Sequence, residues 1–183
     1  MRNSKTYSLT LIAIGAAIIA VLSPFTLPLG PVPITLQTLA VGLIATVLKA
    51  RETFFAVFLY LILGFIGLPV FAGGTSGIFV LFSPTGGYLL AFLVGGTLIS
   101  WALNRVNYQL VPAFVVNILG HLVMLVLGTV WLKFVSGASW ATAFTIGVTP
   151  FLFVEIAKAI VVTIFGLAVI RALQNSNNYF TKA

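Results

Sequence analysis

Two ionisable residues three positions apart inside an apolar run are the strongest chemical signal in this sequence. In Pro150-Phe-Leu-Phe-Val-Glu155-Ile-Ala-Lys158 the acid and the base share one face of a helix. An ionised group at membrane depth is costly and faces a cavity or a partner. A carboxylate accepts hydrogen bonds from N–H groups and an ammonium donates to carbonyl or carboxylate oxygens, so the pair can meet a neutral polar ring that presents both. The same two residues could instead form a buried ion pair that only fastens one helix to its bundle, or serve a proton relay. A relay calls for further acidic or histidine groups along the helices, and beyond this pair the chain holds one histidine, His121, and one acid, Glu52.

His121 follows Asn117 by four residues, which puts both on one face of the fifth apolar span. A lone histidine in such a setting more often bonds a neighbouring helix than reacts. Glu52 comes just after Lys49 and Arg51 and reads as a solvated cap at the start of the third span. Thr35, Gln37, Tyr88 and Asn117 are neutral polar groups near helix ends or interiors, where such groups either link helices or contact a ligand. With no cysteine, no aspartate and a single histidine, a zinc site of the usual ligand count is not expected. A serine hydrolase is not expected either, because no Gly-x-Ser-x-Gly elbow occurs.

The elements that position these residues must suit lipid. Of the 183 residues, 61% are hydrophobic and 6% charged, and the mean hydropathy is +1.21. A soluble domain carries roughly 25% charged residues. In hydrocarbon the backbone must be hydrogen-bonded within helices or a closed barrel, and the uninterrupted apolar runs lack the alternation of barrel strands. Six spans are expected, near 8–22, 34–48, 53–68, 87–103, 110–133 and 150–173. The second and third are short, so parts of their connecting loops should lie at membrane depth, which is tolerated where they line a protein cavity. Met1, Arg2 and Lys5 precede the first run, but no small-residue cleavage pattern follows between Leu22 and Pro33, so the first helix should be retained. No linker or repeat divides the chain, and residues 1–183 read as one transmembrane domain.

The net charge of +7 comes from basic residues scattered singly between spans, a pattern of membrane orientation and not of a nucleic-acid surface. Arg2, Lys5, Lys49, Arg51, Arg105, Arg171 and Lys182 flank one side, and only Lys133 the other. That asymmetry places both termini in the cytoplasm. The first loop, with Pro24, Pro28, Gly30, Pro31 and Pro33, and the third, with nine Gly and Pro residues from Gly64 to Gly87, then lie outside, and composition alone leaves open whether they fold over a pocket or are ordinary turn punctuation. On the first span, Ala13 and Ala17 are spaced for close helix approach, within the bundle or to a partner.

Four segments, in order along nearly the whole chain, resemble the BioY family: Pro31-Val-Pro-Ile-Thr-Leu-Gln37-Thr-Leu, Gly67-Leu-Pro-Val-Phe71-Ala-Gly73-Gly74, Pro84-Thr-Gly-Gly-Tyr88-Leu, and Pro150-Phe-Leu with its acid and Lys158. The resemblance implies an S component of an energy-coupling-factor transporter, which captures biotin outside the cell membrane and delivers it through a transmembrane T component and two ATPase subunits. It implies substrate contacts at Gln37, Phe71, Gly73, Gly74, Tyr88, Asn117, Glu155 and Lys158, and docking of the T component at Ala13 and Ala17. The family's helix motif, similar to Pro-Phe-Leu-Pro-Gly-Asp, is altered here at Phe153, Val154 and Glu155, which keeps an acid but puts the local helix start in question. No Walker A motif occurs, so ATP belongs to the partners and no cofactor is expected in this chain. The alternatives are an S component for another vitamin and an integral-membrane enzyme using His121. Reporter fusions after Asn104 and Ser136 should fall on opposite sides of the membrane, with Asn104 inside; external labelling of both would overturn the assignment.

Overall fold

The computed structural model describes residues 4–28 and 30–176, so Arg2 and Lys182 lie outside the described residues. The chain folds as α1 (Ser4–Leu22), a two-residue ladder of β1 (Thr26–Leu27) and β2 (Ile34–Thr35), α2 (Gln37–Val47), α3 (Ala50–Phe65), α4 (Gly86–Arg105), α5 (Leu110–Ser136), α6 (Trp140–Gly147) and α7 (Leu152–Ser176). Four of these, α1, α4, α5 and α7, are long and apolar enough to cross a membrane. At 11 residues α2 is a shorter apolar helix, and α3 has 16 residues. Large apolar side chains such as Leu9, Val111, Leu119 and Phe165 face outward, as expected where the solvent is hydrocarbon.

Consecutive long helices alternate in direction. Ser8 meets Glu52 and Gly15 stands against Ala56, so α1 and α3 run parallel. Tyr88 lies on Gly128 and Ile99 on Gly120, which makes α4 and α5 antiparallel; Thr38 meets Glu155 and Thr46 lies against Gly166, which makes α2 and α7 parallel. Glycine is required at these crossings because the partner side chain occupies the space a Cβ would take. The outcome is that Lys5, Lys49, Arg51, Arg105 and Arg171 collect at one end of the bundle. The N-termini of α2, α4 and α7 gather at the other, near Lys133.

Local chemistry explains the element ends. Gly137, at φ 65°, closes α5 in the left-handed conformation that other residues resist. The segment between α5 and α7 winds into α6, whose start is capped by Ser139 Oγ accepting from the Thr142 N–H at 3.1 Å. Glu52 does cap α3, its Oε2 accepting from the Lys49 N–H at 3.1 Å, but it is not solvated. α1 covers it, and Ser8 Oγ donates to its Oε1 at 2.9 Å, so this acid also ties α1 to α3.

The third loop turns through short 3-10 segments at Ala72–Gly74 and Ile78–Phe82 and is pinned by Phe71. That ring is 1% exposed, packs edge-on against Tyr60 at 5.6 Å and Phe65 at 5.3 Å, and fills the space beside Gly64 where a Cβ would sit. The Gly77 N–H donates to the Gly64 carbonyl at 2.8 Å, closing the loop back on α3.

Candidate functional site

The loops and helix N-termini at the end away from the basic cluster enclose a cavity. Val32, Thr35, Gln37 and Thr38 come from the first loop and α2, Phe71, Ala72, Thr75 and Val80 from the third loop, and Thr85, Tyr88, Leu89 and Phe92 from the start of α4. His121 and Leu125 of α5 and Phe151, Glu155 and Lys158 of α7 complete it. Its atom-free space is about 590 Å³. Most of the wall is apolar and the ionisable groups converge at one place, the pattern of a small-molecule site.

That place is an ionic cluster built by three helices. Lys158 Nζ donates to Glu155 Oε1 at 2.6 Å and to Thr38 Oγ1 at 2.8 Å, and Thr38 Oγ1 donates to the same Glu155 oxygen at 2.9 Å. Glu155 and Lys158 are 4% and 7% exposed. His121 Nδ1 lies 2.9 Å from Glu155 Oε2, with the ring turned so that the angle at nitrogen falls short of a hydrogen bond. α7 begins at Leu152 and not at Pro150, so Glu155 occupies its first turn, where the helix dipole favours a negative charge. This resolves the question raised by the altered motif: Phe153 and Val154 simply continue the helix, and the longer acid reaches Thr38 from there.

Other neutral groups hold the frame. Gln37 Nε2 donates to Tyr60 Oη at 2.7 Å and its Oε1 accepts from Thr35 Oγ1 at 3.1 Å. Tyr88 Oη donates to the Gly147 carbonyl at 3.0 Å and lies 3.0 Å from Thr129 Oγ1, linking α4, α5 and α6. Of the expected substrate contacts, the fold brings Gln37, Phe71, Tyr88, Glu155 and Lys158 onto the cavity wall. Gly73 and Gly74 lie in the adjacent turn, both at positive φ, and do not line it. Asn117 is also off the wall: its Nδ2 donates to Thr163 Oγ1 at 3.1 Å and its Oδ1 accepts from Thr46 Oγ1 at 3.3 Å, binding α5 to α7 and α2. Thr38 and His121 were missed as site residues. Thr38 directly follows Gln37 and His121 lies one turn beyond Asn117, yet only the packing of α2 and α5 on α7 reveals that both face Glu155.

A membrane-embedded helical bundle with a largely apolar cavity, its ionisable groups gathered at one point and its mouth roofed by two loops, has the form of a small-molecule site. Comparison with known proteins is more specific. Residues 1–175 match the BioY family. The chain is 71% identical to "Biotin transporter BioY2" of Lactococcus lactis subsp. cremoris over 181 residues, covering 99% of this chain and 100% of that one. It is 37% identical to "Biotin transporter BioY" of Thermotoga maritima over 152 residues, covering 82% and 88% respectively. Among solved structures it is similar to the S component for biotin from an ECF-type ABC transporter, with a TM-score of 0.87, 27% identity, and coverage of 93% of this chain and 94% of that one. The chain belongs to the BioY family.

Because Glu155 and Lys158 are both buried, removing one charge strands the other. Glu155→Gln and Lys158→Met should each lower stability by about 3 kcal/mol, and the double variant should recover most of it. Thermal melting of the purified protein in detergent measures this; singles as stable as the unaltered chain would show that the pair is not closely coupled.

Proposed function

We propose that this chain is the biotin-capturing S component of an energy-coupling-factor transporter, that its cavity is the biotin site, and that Glu155 with Lys158 forms the polar foot of that site. The observation that carries the site assignment is the buried Glu155–Lys158–Thr38 cluster on the wall of an otherwise apolar cavity. The named function of the relatives supports the ligand and makes the protein a transporter subunit and not an enzyme. Biotin offers ureido N–H donors beside a carbonyl acceptor on a compact bicycle, with a carboxylate at the far end of an apolar chain. A carboxylate and an ammonium side by side are complementary to such a ring, and the carbon chain suits the apolar wall.

In this reading six helices cross the cytoplasmic membrane, the four long ones and, with help from their loops, α2 and α3, and both termini are cytoplasmic. Lys5, Lys49, Arg51, Arg105 and Arg171 then face the cytoplasm, and the cavity end faces outward. Gln37, Phe71 and Tyr88 complete the substrate contacts, with Gly73 and Gly74 shaping the loop over them. A T component and two ATPase subunits supply the energy, and this chain needs no cofactor. Ala13 and Ala17 are exposed on α1 while Gly15, Ala16 and Ile19 on its other side pack into the bundle, so the small-residue pair is free to seat the T component.

Calorimetric titration of the purified chain should show tight biotin binding. Hydrogen bonds to charged groups contribute roughly 1.5–3 kcal/mol, so Glu155→Gln and Lys158→Met should each weaken affinity at least about tenfold, and the double variant should stay weak even where its stability is restored. Normal affinity in all three would remove the pair from the site. Ala13→Trp should block biotin uptake in cells that express the partner subunits while leaving binding by the isolated chain intact; uptake at the unaltered rate would remove Ala13 from the docking face.

A further inference from the structure

The two oxygens of Glu155 stand in different situations. Oε1 accepts from both Lys158 and Thr38, whereas Oε2 has no hydrogen-bond partner among the described residues. The same is true of both ring nitrogens of His121, which is 1% exposed and lines the cavity beside Glu155. Buried polar atoms are nearly always paired. Two of these unpaired atoms, His121 Nδ1 and Glu155 Oε2, stand 2.9 Å apart and mark a polar point that is completed by a small change.

We propose that His121 is the positioning residue for Glu155: its Nδ1–H holds Oε2 in place, so that the carboxylate presents that oxygen to an N–H group of the bound ligand. This deepens the reading of the cavity as a biotin site and rests on it. A carboxylate held through one oxygen turns about its last side-chain torsion, which is broad and two-fold. A second hold on Oε2 from α5, opposite the Lys158 and Thr38 holds on Oε1, stops that rotation. Oε2 has two lone pairs, so it accepts the histidine N–H and still accepts from a ligand.

The surroundings select the histidine tautomer this requires. A neutral imidazole has one donor and one acceptor nitrogen. With the proton on Nε2, the Nδ1 lone pair would point at the carboxylate oxygen and repel it. Nε2 instead faces α2 at Gly42, where a Cβ would come within 2.7 Å of it, so the missing side chain at Gly42 lets the ring seat against the helix backbone. The charged groups that meet the ring are Glu155 and Lys158 on α7, while α2 contributes the neutral Thr38 and Gly42.

Three substitutions separate a donor at this point from mere filling of space. Asparagine places an amide N–H close to where Nδ1 stood, glutamine reaches toward the Nε2 position, and leucine keeps volume without a donor. Titration of biotin into the purified variants should find His121→Asn within about threefold of the unaltered chain, and His121→Gln and His121→Leu at least about tenfold weaker. In a Glu155→Gln background, His121→Leu should cost no further affinity, because the histidine acts through the acid. Melting temperatures measured alongside distinguish a structural role, in which affinity would simply follow stability. Unaltered affinity in both the leucine and glutamine variants would overturn the proposal, as would an asparagine variant that is folded yet as weak as the leucine variant. A failure of the unaltered chain to bind biotin would overturn the reading of the cavity itself, whatever the variants do.

Discussion

Hydrocarbon offers no hydrogen bonds, so each polar group the bundle carries into it must find its partner within the protein. The interior obeys this constraint helix by helix. Asn117 joins α5 to α2 and α7, Gln37 joins α2 to α3 through Tyr60, Tyr88 joins α4 to α5 and α6, and Ser100 Oγ donates to the Leu48 carbonyl at the other end. Each such bond contributes modestly, but leaving its members unpaired costs more than the bond supplies. They act as register marks: a helix that slid by one turn would strand several at once. Among the described residues the exception is the His121–Glu155 contact, and both residues line the cavity.

The same constraint decides how closely the helices approach. Burying apolar area against a neighbour gains little when lipid is equally apolar, so contact must come from shape. Glycines on α4 and α5 receive Tyr88, Ile99 and Met124 across the interface, and Gly166 receives Thr46 between α7 and α2. The parallel register of α2 on α7 that follows carries Thr38 to Glu155 and Gly42 to Val162, and Gly42 also receives the His121 ring of α5. Contacts recur at four-residue steps along α2 and at steps of seven and four along α7, from Thr38 and Glu155 through Gly42 and Val162 to Thr46 and Gly166. The site is therefore one rung of a packing ladder, and its precision comes from the rungs beyond it.

Much of this was legible in the sequence because lipid simplifies the code. Long apolar runs between charges and Gly-Pro clusters gave α1, α4, α5 and α7 nearly to their ends, and the cost of burying charge singled out Glu155 and Lys158. What escaped depends on packing. Asn117 and His121 share a face and look equivalent along the chain, but Asn117 is consumed in linking helices and His121 reaches the cavity, a difference set by the α5–α7 crossing. Glu52 read as solvated because its neighbours Lys49 and Arg51 are charged, and only the cover of α1 buries it. The α6 turn was hidden because Trp140–Gly147 is too short for an apolar period to stand out.

The foot and the roof of the cavity are held by different kinds of contact. Glu155, Lys158 and Thr38 are bonded to one another on α7 and α2, and the α2–α7 packing beneath them is close. The third loop differs. It is held by the Phe71 ring between Tyr60 and Phe65 and by a few backbone bonds to α3, and it covers the cavity with Phe71, Ala72, Thr75 and Val80. The foot is thus built from charged hydrogen bonds between two helices and the roof from one aromatic contact and a few backbone bonds, with the glycines at 73, 74 and 77, all at positive φ, giving that roof its turns.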